Sequence, residues 1–224
     1  MKPITPSCRD GLTARDREFV ADVLGGSPRQ RAAVRELLQD ENVRDSLLEK
    51  TALRQALLES REPLAVSPQL YFYVLTRWVL PGLDRITTDY IATLLVEFLQ
   101  GERWRTVPGF ADQPTEYVTD MLLILAHLKG EQAFLVQTHV GNYALFLTGV
   151  FADHVRYRAQ HRGAPDIGFY EEVGRAHYQL AARQPYARRH GLDDVLETVG
   201  EEFPTVRRGL NRLADQFWHW GAST

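Results

Sequence analysis

Apolar residues recur at three- and four-residue spacing along most of the chain, which is the period of an amphipathic helix. Start and stop signals punctuate the pattern. Thr13 with Asp16 opens a helix that Gly25-Gly26 closes. Ser27-Pro28 and Ser67-Pro68 each place a capping residue before a proline suited to the first helical position. Val43, Leu47, Leu48, Leu53, Leu57 and Leu58 predict one helix from near Asn42 to about Ser60, ended by Pro63. Leu70 to Leu80 predicts another, stopped by Pro81-Gly82, and Asp84 caps the next, which continues to Gly101. Glu102 to Pro114 has no sustained period and reads as a loop. Further helices are expected over Pro114 to Lys129, Glu131 to His161, Ile167 to Arg183, Leu192 to Glu202 and Pro204 to Trp220. No segment alternates as a strand does. The expectation is an all-α bundle of about nine or ten helices around a buried central helix, about 131–161.

That central helix is apolar nearly all round, and no residue between Glu131 and Asp153 is charged. The stretch is about long enough to cross a bilayer. However, it contains Gln132, Gln137, Thr138, His139, Asn142 and Thr148, which are costly in lipid and tolerable in a protein core. No membrane span is expected. His139, Asn142 and Tyr143 fall on one turn. They read either as a satisfied hydrogen-bond network or as the lining of a small polar pocket. Gly141, Gly149, Thr148 and Ala152 form a small-residue stripe suited to a tight helix contact within the chain or to a dimer seam.

The helix after Pro165 carries Tyr170 and His177 seven residues apart, with Gly174 between them leaving room for a ligand or a second helix. Arg77 interrupts an apolar helix and either snorkels to the surface or, the favoured reading, pairs with a carboxylate; Glu97, Asp120 and Glu172 are possible partners by location. His139, Asn142, Tyr143, Tyr170, His177 and Arg77 are therefore the candidate ligand-binding residues. No metal is expected: the Glu-x-x-His pairs of di-iron bundles and the His-Glu-x-x-His of zinc enzymes are both absent. No resident cofactor is expected either. The nucleophile elbow, the phosphate-binding loop and the dinucleotide fingerprint are missing, and catalytic residues stay unassigned. No known family is resembled closely enough for its residues to be carried over.

Composition sharpens the picture in three places. The formal net charge of −3 gives no global basic footprint. Seven arginines against three acids between residues 155 and 190 make a local basic patch, but no nucleic-acid motif accompanies it and nucleic acid is not an expected partner. The single cysteine, Cys8, cannot form an internal disulfide and reads as a free thiol on a loose end, which together with a polar N-terminus favours the cytoplasm. Residues 1–62 hold eleven basic and eleven acidic side chains and few aromatics. They are expected to form a charged helical subdomain packed on a main bundle over 63–224.

Two functions fit this pattern. One is a non-catalytic protein-interaction or self-assembling module, most simply a homodimer, with the aromatics around Trp218 and Trp220 adding apolar surface at the chain end. The alternative is a bundle that encloses a planar ligand such as haem, with or without catalysis.

Overall fold

The computed structural model describes residues 2–59, 66–101, 104, 106–110 and 117–221, with side chains left out at 100–101 and 217–221. The aromatics at Trp218 and Trp220 thus lie outside the described side chains, as does the composition change at residue 62. The described residues form thirteen helices and no β-strand beyond a lone bridge position at Thr106. The chain is all-α. No helix among the described residues is long and apolar enough to cross a membrane.

Two compact units divide the chain at Thr93–Leu94, within a helix. The first, Pro6–Thr93, holds α1 (Ala14–Leu24), α2 (Pro28–Leu37), α3 (Glu41–Leu48), α4 (Thr51–Glu59), α5 (Pro68–Val79) and the start of α6 (Arg85–Gly101). Its caps follow the sequence signals. Thr13 and Asp16 form a reciprocal capping box at α1, and the Ser27 and Ser67 hydroxyls accept from Gln30 N–H and Leu70 N–H. Leu48, Leu53, Leu70, Leu75, Tyr90 and Ile91 are at most 1 % exposed and build the core. Cys8 is not on a loose end. Its side chain is fully buried, its N–H donates to Asp89 Oδ1 at 2.8 Å, and the neighbouring Arg9 bridges Asp45 and Asp89. That double ion pair ties the N-terminal segment to α3 and α6.

The second unit, Met1–Thr5 with Leu94–Thr224, holds the rest of α6, α7 (Val118–Leu125), α8 (Gly130–Val150), α9 (Ala152–Arg162), α10 (Ile167–Ala182), α11 (Pro185–Arg189), α12 (Asp193–Glu201) and α13 (Phe203–Gly221). Helix α8 is its axis. Thirteen of its residues are buried, as its all-round apolar character requires. It packs most extensively on α10 and next on α13. Its glycines mark where neighbours come close: a Cβ on Gly141 would lie 3.0 Å from the Tyr178 ring, and one on Gly149 2.9 Å from Leu210. The small-residue stripe is therefore covered within the chain.

Two breaks and one added helix raise the helix count above the expected nine or ten. The helix expected from Asn42 to Ser60 divides at Glu49–Lys50, where Glu49 accepts from both Arg77 and Arg85. The expected 131–161 helix divides at Phe151, whose backbone leaves helical geometry (φ −115°, ψ 36°). There Asn211 of α13 donates to the carbonyl oxygens of Thr148 and Gly149, both at 2.8 Å, and so caps the end of α8. The third addition is the short α11, started by Pro185 at its first position.

Candidate functional site

The polar turn of α8 was the leading candidate, and the 94–224 unit encloses it. His139 is 6 % exposed, Asn142 3 % and Tyr143 3 %. Asn142 Oδ1 accepts a 2.7 Å hydrogen bond from Tyr178 Oη of α10. The His139 ring lies against Phe98 of α6, with centroids 5.8 Å apart. Beside them, between Ile4, Phe98, Pro108, Thr138 and His139, is a gap of about 20 Å³. That is room for about one water. The buried Thr138 hydroxyl has no hydrogen-bond partner among the described residues, so it is the group such a water would serve.

Tyr170 and His177 sit on α10 but do not join this turn through any hydrogen bond among those described. Tyr170 is buried near Arg158 and Tyr117, and burial pushes its phenol above the ordinary value. The Arg158 guanidinium itself lies over the Tyr117 ring at 5.4 Å. His177 is half-buried. Its Nδ1 is buried with no partner among the described residues, and burial lowers its pKa below the ordinary 6.5. Gly174 leaves room for side chains of the fold itself, namely Phe203 and Ala144. The residue that reaches α8 is Tyr178, which was not among the candidates. The spacing Tyr170, Gly174, Tyr178, Ala181 was the available signal, since these four form the buried face of α10.

Arg77 belongs to the 6–93 unit. Its partner is Glu49, not Glu97, Asp120 or Glu172: Arg77 Nε donates to Glu49 Oε1 at 3.0 Å. Its Nη1 donates to the carbonyl oxygens of Leu80, Pro81 and Leu83, fastening the turn after α5.

A hollow of about 640 Å³ lies where α8 meets α9, beside Phe151, Asp153, His154, Asn211 and Asp215. Two of its polar groups are engaged within the fold: Asp153 pairs with Arg156, and Asn211 caps α8. No group of three or more histidine, cysteine or acidic side chains placed to hold a metal occurs among the described residues. The basic stretch is likewise partly answered within the fold, with Arg158 over Tyr117 and Arg189 over Tyr186. No protein-family model matches the chain, and no similar curated protein or solved structure was found.

Proposed function

We propose that this chain is a non-catalytic self-assembling module whose α7 packs against α7 of a second copy. One observation carries the reading. The sequence of α7, Val-Thr-Asp-Met-Leu-Leu-Ile-Leu, is apolar at six of its eight positions, yet its only buried residues are Val118 and Met121. Leu123 is 67 % exposed, and Leu122, Ile124 and Leu125 are half-covered. Helix α8 covers one side of α7, and among the described residues nothing covers the side that carries Leu123, which leaves an apolar surface there.

A second copy is the occupant that this surface fits. A twofold contact sets a patch against itself, which suits an uncharged apolar stripe and penalises a charged one. Asp120 is the only charged residue within α7, and it lies one turn from Leu123. Covering one leucine side chain contributes about 1.5–3 kcal/mol, and the twofold doubles it.

The alternative of an enclosed planar ligand gains no support at the His139 turn, where the gap suits about one water. Amide hydrogen exchange tests the self-assembly. Protection across 118–125 should rise with protein concentration, while that of α8 stays constant. Protection of α7 that is independent of concentration counts against the reading.

A further inference from the structure

We propose that the 6–93 unit carries a cleft that binds a small phosphate-bearing organic ligand. The cleft, about 240 Å³, lies between the α3–α4 turn and the C-terminal end of α5. Trp78, Val74, Leu48 and Pro81 supply an apolar wall. Lys50, Arg54 and Arg77 bring three cations to the same space, and Glu49 is the only carboxylate lining it among the described residues.

The charge is gathered in one half-open cleft and is not balanced there. Glu49 accepts from Arg77 at 3.0 Å and from Arg85 at 2.9 Å, so one carboxylate answers two guanidiniums. Those bonds, Arg85's first and then Arg77's, hold its carboxyl below the usual range against the opposing effect of burial, and it stays ionised. Arg77 is fixed by its further bonds to the carbonyl oxygens of Leu80, Pro81 and Leu83. Arg54 is oriented by Trp78, with Cζ 5.1 Å from the ring centroid. Lys50 is exposed beside them and adds a point charge.

The lining therefore carries a surplus of about two positive charges. A phosphate monoester, with a charge of about −1.5 to −2 at neutral pH, matches that surplus, whereas a lone carboxylate leaves part of it unanswered. A dry cavity of about 150 Å³ holds benzene. The present volume accepts one ring against the Trp78 wall together with its phosphate. Guanidinium forks and an ammonium are the groups that take phosphate oxygens.

The test is calorimetric titration of the full chain with phenyl phosphate, with inorganic phosphate and phenol as the two halves of the probe. Phenyl phosphate should saturate one site per chain, more tightly than inorganic phosphate, and phenol should not bind. Lys50→Gln and Arg54→Gln should each weaken binding about tenfold, as should raised salt. Lys50 is exposed, so its substitution keeps the test decisive even if Arg54→Gln disturbs the packing on Trp78. Failure of phenyl phosphate to saturate, or equal affinity in the parent and both variants, overturns the proposal. Equal affinity for inorganic and phenyl phosphate overturns the organic half of it.

Discussion

Tyr178 Oη donates to Asn142 Oδ1 across the α8–α10 contact at 2.7 Å, and the same tyrosine ring lies over Gly141 one residue away. One side chain thus supplies both a polar and an apolar part of the most extensive helix contact in the 94–224 unit. Tyr178→Phe keeps the ring and removes the donor. It should destabilise the fold by about 1–3 kcal/mol, the cost of breaking a buried hydrogen bond on one side. Chemical denaturation measures this, and a variant as stable as the parent would show the bond to be dispensable.

Gly174 tests the same contact by steric means. A Cβ there would approach Phe203 Cζ to 2.6 Å and the Ala144 Cβ to 3.1 Å. Gly174→Ala should lose about 1–3 kcal/mol through overpacking, although alanine is the better helix former. Gly168→Ala is the control. Its Cβ would meet only the Asp166 side chain, at 3.4 Å or more, and its melting temperature should be unchanged or higher.

Asn211 holds the break between α8 and α9. Asn211→Ala removes two hydrogen bonds to the carbonyls of Thr148 and Gly149 and should cost about 1–3 kcal/mol. Exchange protection should fall first at the α8–α9 junction. A uniform loss across the unit would show that Asn211 acts on global packing instead.

His177 sets a pH dependence. Burial lowers its pKa in the folded state, so the unfolded chain binds the proton more readily. Stability should therefore fall as pH drops below the ordinary value of 6.5 and level off once the pH passes below the folded-state pKa. His177→Phe removes both the titration and the buried, unpartnered Nδ1. Its stability between pH 7.5 and 5.5 should be flatter than the parent's. Parallel pH profiles would rule His177 out as the source.

The helical class and most boundaries were legible because they rest on local chemistry. Thr13 with Asp16, Ser27 with Pro28 and Ser67 with Pro68 cap the helices where their spacing predicts. The breaks at Glu49–Lys50 and Phe151 were not legible, because their determinants come from Arg77 and Arg85 in one case and Asn211 in the other. Neither break carries a glycine or proline. The same limit governs the candidate site. Periodicity put His139, Asn142 and Tyr143 in the core correctly, but it matched Tyr170 with His177 because they stand seven apart. The buried arc of α10 is centred instead toward Gly174 and Tyr178, which leaves His177 at its edge. Arg77 was recognisable as a residue needing a carboxylate, whereas Glu49 became its partner only through the tertiary approach of the α3–α4 turn.

Mass as a function of concentration is the most direct test of assembly through α7. Light scattering should show the parent chain rising from its monomer mass of 25.6 kDa toward twice that value across the micromolar range. Leu123→Glu should remain at the monomer mass and melt as the parent does at concentrations too low for the dimer, because Leu123 is 67 % exposed and contributes little to the monomer's own packing. A parent chain that stays at 25.6 kDa throughout, or a Leu123→Glu chain that dimerises as the parent does, would contradict the account.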